Sequence, residues 1–315
     1  MIRTGLKRMA LSLFFLCLLA GIYFSLECST TLSKNIRKDG QQGSRTYFEA
    51  VPIPDTLSFA GEPVPLKFMD VRESLDRELL VNSYFHSQTL RFLKMAPRFF
   101  NLIEPILKKD SIPDDFKYLA LAESGFDPLA VSPVGAVGMW QLMKGTARDY
   151  GLEVDNEVDE RYSIAQSTQA ACDYLKESYQ KFKSWTLVAA SYNAGRNFMT
   201  KQIALQKQGN YYNLLLGEET GRYLFRILAL KLVMEHPRRY GFIVREKEKY
   251  PLWKTKSIKI DTPVIDFADF ALNHGTNYKI LKMLNPWLRK AYLTNASGRA
   301  YQIILPQKGF RTNRR

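Results

Sequence analysis

Residues 113–125 run Pro113-Asp114-Asp115-Phe116-Lys117-Tyr118-Leu119-Ala120-Leu121-Ala122-Glu123-Ser124-Gly125, a helix with both ends marked. Pro113 suits a first helical position, Asp114 and Asp115 favour the positive end of the helix dipole, and Gly125 suits a left-handed stop. Phe116, Leu119 and Ala120 form an i, i+3, i+4 apolar stripe whose i+7 position is Glu123. An ionised carboxylate facing an apolar wall is disfavoured, so its pKa should rise, which prepares a glutamate to act as a general acid near neutral pH. The position equally fits a glutamate paired with a buried Arg or Lys, or one that has reached the surface at the helix end.

Ser124-Gly125-Phe126-Asp127-Pro128 leads on to Ser132-Pro133-Val134-Gly135-Ala136-Val137-Gly138-Met139-Trp140-Gln141. The glycines and prolines between Pro128 and Gly138 exclude regular helix, so this is an ordered loop that returns to helix. Farther along stand Ser191-Tyr192-Asn193-Ala194-Gly195, ending a short helix, and Glu219-Thr220 with Tyr223, opening another. In these residues the chain resembles the lytic transglycosylases of the soluble-lytic-transglycosylase and goose-type-lysozyme superfamily. Its Glu-Ser pair, Ser-Pro-x-Gly-Ala-x-Gly-x-x-Gln loop, Tyr-Asn-Ala-Gly motif and Glu-Thr-x-x-Tyr motif all occur here, in order, over residues 113–235. The Gly138-Met139-Trp140-Gln141 version of the loop, with Asn82-Ser83-Tyr84-Phe85-His86-Ser87 ahead of the helix, looks most like the membrane-bound lytic murein transglycosylase D branch.

The resemblance implies an enzyme that cleaves the β-1,4 bond between N-acetylmuramic acid and N-acetylglucosamine in peptidoglycan. Glu123 would serve alone, protonating the glycosidic oxygen and then acting as base while the muramic 6-hydroxyl attacks the anomeric carbon, leaving a 1,6-anhydro end. The family's saccharide groove carries over to Ser132, Met139, Trp140, Gln141, Met143, Tyr192, Asn193 and Tyr223, with Ser124 and Glu219 in support. Tyr192 would hold the Glu123 carboxyl through its hydroxyl, and Asn193 would brace its motif. Trp140 either stacks on a sugar or fills the core, and Tyr192 also lies on the plain core stripe Trp185, Val188, Ala189, Tyr192. Glycoside cleavage ordinarily uses two carboxylates. Asp127 is the nearest second one, but Gly125 ends the helix before it and Pro128 forces it to extended geometry, so it reads as a turn residue. Asp159-Glu160-Arg161 reads as a salt-bridged turn entering a helix at Ser163. A muramidase that lets water attack uses the same scaffold, and a silent wall-binding scaffold is the alternative from another class.

A chain of 315 residues with 46% hydrophobic and 13% aromatic content builds a sizeable packed domain plus a small one, which excludes global disorder. The net charge of +14 calls for an anionic neighbour. No zinc-finger spacing or RNP-type motif accompanies it, so anionic lipid or wall polymer is expected rather than nucleic acid. No cofactor or metal is expected either, since His86, His236 and His274 are scattered and the three cysteines have no metal or disulfide spacing. Cys172 falls on the stripe Ile164, Thr168, Ala171, Cys172, Leu175, Tyr179 and reads as a small buried hydrophobe.

The expected organisation begins with a signal peptide or membrane anchor at 1–28, where Arg3, Lys7 and Arg8 precede the apolar stretch Met9 to Leu26. This places the protein in the cell envelope, periplasmic or anchored facing the periplasm. A polar tether follows at 29–65, dotted with Gly and Pro. Residues 66–240 form the mainly α, lysozyme-like catalytic domain, its helices punctuated at Pro97, Pro105, Pro113, the glycine loop and Gly195. A charged connector occupies 241–256. Strand, helix, helix, strand at 257–260, 267–273, 278–285 and 301–306 make 257–308 a βααβ unit resembling a LysM peptidoglycan-binding module, although Asp261-Thr262-Pro263-Val264 replaces the usual Gly-Asp-Thr-Leu opening. Its expected role is to raise local substrate concentration, or else only to pack on the catalytic domain.

Overall fold

The computed structural model describes residues 49–311 apart from Ser297. The expected export segment, Cys17, Cys28, most of the expected tether and the pair Arg314 and Arg315 lie outside the described residues. No helix among the described residues is long and apolar enough to cross a membrane.

A short hairpin, β1 (Ser58–Phe59) and β2 (Glu62–Pro63), precedes eight helices of the larger body. These are α1 (Met69–Tyr84), α2 (His86–Lys109), α3 (Phe116–Ser124), α4 (Lys144–Asp149), α5 (Ile164–Phe182), α6 (Trp185–Ala194), α7 (Arg196–Gln206) and α8 (Glu218–Glu235). The last is the hub, packed against α1, α3 and α6. Its sequence explains why: Tyr223, Leu224, Ile227, Leu228, Ala229 and Val233 leave little polar face, and a helix apolar almost all round belongs inside.

Pro97 and Pro105 do not punctuate. Helix α2 runs through both for 24 residues. A proline inside a helix costs about 3 kcal/mol. The stripe Phe92, Phe99, Ile103 and Leu107 is buried, and each such side chain contributes about 1.5–3 kcal/mol, enough to keep the helix whole.

The catalytic-helix candidate α3 starts at Phe116 rather than Pro113, because the backbone from Pro113 to Asp115 makes turns. Asp115 caps nothing with its side chain. Its carboxylate instead accepts the Ala60 amide and the Lys231 ammonium, each at 2.7 Å. The stop is as expected: Gly125 is left-handed at φ 59°. Phe126 follows at φ 62°, strain of about 1–2 kcal/mol for a residue with a side chain. Complete burial of its ring against Phe92, Phe99 and Phe100 offsets that cost.

Residues 51–65 are not a tether. Phe59 is fully buried against the Phe116 ring at 5.2 Å, and Val64 and Leu66 join the same core. Glu62 accepts from Ser184 Oγ and from the Trp185 and Thr186 amides, so the hairpin caps α6. The apolar residues spaced through this polar stretch are what pin it to the body.

The C-terminal unit matches its expected layout. Strand β3 (Thr255–Ile260) pairs antiparallel with β4 (Tyr301–Pro306), and α9 (Phe267–Asn273) and α10 (Tyr278–Leu284) pack beside them. Its core holds Phe267, Ala271, Leu281, Trp287, Ile303 and Leu305. Asn285 is fully buried yet satisfied, donating to the Leu281 and Ile304 carbonyls and accepting from the Ile304 amide.

Candidate active site

Helices α3 and α8 meet at Glu123. Helix α3 ends one turn after Leu119 and Ala120, both fully buried, and its last turn carries Glu123 along the same side. Gly125 is needed directly behind it, since a Cβ there would stand 3.0 Å from the Phe92 ring. From α8, the Tyr223 hydroxyl donates to Glu123 Oε1 in a short hydrogen bond. Burial pushes the Glu123 carboxyl up to about 7. The Tyr223 bond and the positive charge of Arg226 pull it back, while Glu219 adds to the rise.

Arg226 does not neutralise Glu123. Its guanidinium is turned to Glu219, at 3.0 and 3.3 Å. Among the described residues no Lys or Arg forms an ion pair with Glu123. Of the three environments open to a glutamate at this position, the apolar wall with a phenol partner is the one present.

The sequence expectation gave this contact to Tyr192, and here the structure differs. The Tyr192 hydroxyl donates to the Trp140 carbonyl at 2.7 Å, and its ring sits edge-on to Tyr174. Burial and the nearby Glu123 carboxylate hold the Tyr192 hydroxyl well above its usual range, so it is a permanent donor. Tyr192 therefore ties the glycine loop to α6, while Tyr223 takes the carboxyl. Asn193 braces its motif, its Oδ1 accepting from Thr220 Oγ1 at 2.9 Å.

The loop residues separate by depth. Trp140 is fully buried, its indole donating to Thr168 Oγ1 at 2.8 Å, so it is core and not a platform for sugar. Met139 is also buried, and its sulfur receives the Ser124 hydroxyl at 3.3 Å, which links the loop to the residue after Glu123. Neither side chain presents a surface to solvent. Met143 is exposed. Gln141 is half-buried at φ 48°, its amide nitrogen donating to the Gly138 and Ala130 carbonyls at 2.9 and 3.2 Å. Ser132 Oγ accepts the Ala136 amide at 2.9 Å and so closes the loop on itself. Glu219, in the first turn of α8, is an exposed partner of Arg226. Asp127 bonds the Leu129 amide at 2.8 Å and belongs to its own turn.

Sequence reasoning missed Arg226 and the reach of Arg161 beyond its expected salt-bridged turn. Arg226 was legible from its spacing, since Glu219, Tyr223 and Arg226 share one face of α8 at i, i+4, i+7. The ion pair of Arg161 with Asp159 was expected, but its contacts with the glycine loop had no local signal. Its guanidinium holds both Asp159 oxygens, at 2.9 and 2.8 Å, and also the Gly135 and Leu142 carbonyls, at 3.1 and 3.3 Å, so the salt-bridged turn is fastened to the glycine loop.

Comparison with known proteins meets this geometry. Residues 101–215 match the family model of the transglycosylase SLT domain, and residues 256–309 that of the soluble lytic transglycosylase C-terminal LysM-like domain. The chain thus carries an SLT transglycosylase domain followed by a LysM-like domain in a mainly helical fold. It is similar to the membrane-bound lytic murein transglycosylase D of Escherichia coli (strain K12), 30% identical over 265 residues that make up 82% of this chain and 57% of that protein. The chain accordingly spans little more than half the length of that relative. Membrane-bound lytic murein transglycosylase F of Klebsiella pneumoniae is 29% identical over 138 residues, 40% of this chain and 26% of that protein. Among solved structures, the 70 kDa soluble lytic transglycosylase of Escherichia coli aligns with 21% identity and a TM-score of 0.39 over 49% of this chain and 26% of that one.

Proposed function

We propose that this chain is a peptidoglycan lytic transglycosylase of the cell envelope, cutting the β-1,4 bond between N-acetylmuramic acid and N-acetylglucosamine. The observation that carries the reading is Glu123, a carboxyl held at about 7 by burial, bonded by one phenol and, among the described residues, in no ion pair. Such a group holds its proton in about half of the molecules at neutral pH and becomes a base once that proton is spent. Glu123 gives its proton to the glycosidic oxygen as the bond to the anomeric carbon breaks. The muramic N-acetyl oxygen bonds to that carbon, and Glu123 then removes the proton of the 6-hydroxyl as its oxygen displaces the acetamido oxygen and closes the 1,6-anhydro ring. A single carboxylate suffices because the substrate supplies the nucleophile; Asp127 is engaged in its own turn.

Ser132, Gln141 and Met143 line the saccharide groove above Glu123, with Met139, Trp140, Tyr192 and Asn193 shaping it from below. The net charge of +14 suits an anionic wall polymer. The test is mass spectrometry of products released from purified sacculi by the full chain. Anhydro-muramic ends are expected. Reducing ends would make the protein a muramidase, and no product would make it a binding scaffold.

A further inference from the structure

The C-terminal module is seated on the catalytic body chiefly through residues 153–163, with Val137 of the glycine loop added to the contact. The Asp159 amide donates to the Trp287 carbonyl at 2.9 Å, the Arg289 amide donates to the Glu157 carbonyl at 2.7 Å, and Val158 and Leu288 form a β-bridge between them. The Glu157 carboxylate accepts the Thr294 amide at 2.8 Å and its hydroxyl at 3.0 Å. Arg299 and Tyr301 both reach Glu153, each at 2.8 Å, and the Arg289 guanidinium lies 4.0 Å over the Tyr162 ring. Val137, Val158 and Tyr162 of the body share one apolar cluster with Trp287, Leu288, Leu293 and Tyr301 of the module. Backbone pairing, an ion pair and a common core make this a fixed joint rather than a swinging one.

The segment so clamped, residues 153–163, is also the one that holds the glycine loop. Arg161 donates to the Gly135 and Leu142 carbonyls from the loop's two ends. Gly138 packs so closely on the Arg161 carbonyl that a Cβ would lie 2.1 Å from its oxygen, at a φ of 82° that disfavours any side chain. Between those points sit Gln141 and Met139, whose sulfur meets the Ser124 hydroxyl beside Glu123. We infer that the LysM-like module is a built-in clamp for the active-site loop, with Arg161 the positioning residue that transmits its grip to residues 135–142. This deepens the proposed function, since it rests on the glycine loop being the wall of the saccharide groove.

A clamp and a wall-targeting device differ in what they change. Loss of targeting lowers attachment to sacculi and leaves turnover of a short soluble glycan alone. Loss of clamping raises KM for the short glycan and frees the loop amides, with attachment unchanged. Two variants of the full chain separate them. Arg161→Lys keeps a cation beside Asp159, yet an ammonium on a flexible stem lacks the planar fork that spans both carbonyls. Glu157→Ala removes only the half-buried carboxylate under Thr294 and keeps every backbone pairing of the joint.

The readouts are hydrogen exchange of the Val137, Gly138 and Leu142 amides, KM and kcat on a soluble tetrasaccharide of the wall repeat, and pelleting with sacculi. Expected are at least tenfold faster exchange at the three amides in Arg161→Lys and about threefold in Glu157→Ala, with KM rising in the same order more than kcat falls, and pelleting unchanged. Unaltered loop exchange in both variants would overturn the proposal, as would faster exchange with KM unmoved. Should Arg161→Lys fail to fold, Glu157→Ala decides the matter alone. Should the wild type release no product from either substrate, the enzymatic reading fails, while the exchange measurement still decides whether the module clamps the loop.

Discussion

Glu123 at the end of α3 and the pair Asp159 and Glu160 in the 153–163 turn are carboxylates drawn out of water, but they meet different partners. Asp159 is gripped by both arms of the Arg161 guanidinium, and Glu160 accepts the Glu153 amide at 2.7 Å. Those groups serve the fold, Asp159 as one half of an ion pair and Glu160 as a backbone acceptor, and these bonds replace their lost hydration. Glu123 has one phenol and an apolar wall, so the cheaper answer to burial is to keep its proton. Burial alone does not make an acid; burial without an ion pair does.

The sharpest way to break that comparison is Glu123→Gln. It should lower product release from sacculi by about 10²–10⁴-fold, the usual share of general acid catalysis. The same variant should be more stable than the wild type at high pH. As pH rises from 4.5 to about 7, the unfolded chain gives up the Glu123 proton and the folded chain retains it, so the wild type loses stability through that window. Above pH 7 the full difference applies, at most about 3.5 kcal/mol at roughly 1.4 kcal/mol per pKa unit. Thermal melts of both proteins at pH 5 and pH 8 measure it, and an equal gap at the two values would place Glu123 among the carboxylates that serve the fold instead.

Gly138→Ala tests the other region. With its Cβ forced onto the Arg161 carbonyl at positive φ, it should destabilise the protein by about 2 kcal/mol or more in urea unfolding, and loosen the loop. A neutral result would mean the loop is free to move away from the turn. Tyr223→Phe sharpens the contrast further. Removing the one bond that favours the charged form should raise the Glu123 pKa, moving the alkaline limb of the pH–rate profile upward by about one unit and lowering the peak rate about tenfold. Tyr192→Phe should leave that limb where it is, because its hydroxyl serves the Trp140 carbonyl. The smallest effect is expected for Asp127→Asn, within about threefold of the wild-type rate, since an amide oxygen accepts the Leu129 amide just as well.

Much of this was legible before any coordinates. The stripe Phe116, Leu119, Ala120, Glu123 and the stop at Gly125 placed the carboxyl, because helical period and a left-handed glycine are local properties. The βααβ order of the C-terminal unit followed from alternation and spacing for the same reason. What was not legible depends on partners distant in sequence. Nothing near Pro97 or Pro105 says that the buried Phe92 and Phe99 face outweighs the lost backbone bonds. Tyr192 and Tyr223 are equally good donors on paper, and only the crossing of α6 and α8 decides which reaches Glu123. Phe59 looks stranded in a polar stretch until Phe116 stands opposite. The joint of the module to the 153–163 turn is made largely by backbone amides, which carry no side-chain signature at all.

The most direct measurement of the central claim is a carbon-13 NMR titration of the side-chain carboxyl of Glu123 in the intact protein, assigned by its disappearance in Glu123→Gln. The account predicts a midpoint near 7. A Glu123 midpoint near 4.5 would contradict it, because the group would then be a surface-like anion at neutral pH and unable to deliver the proton on which the proposed chemistry depends.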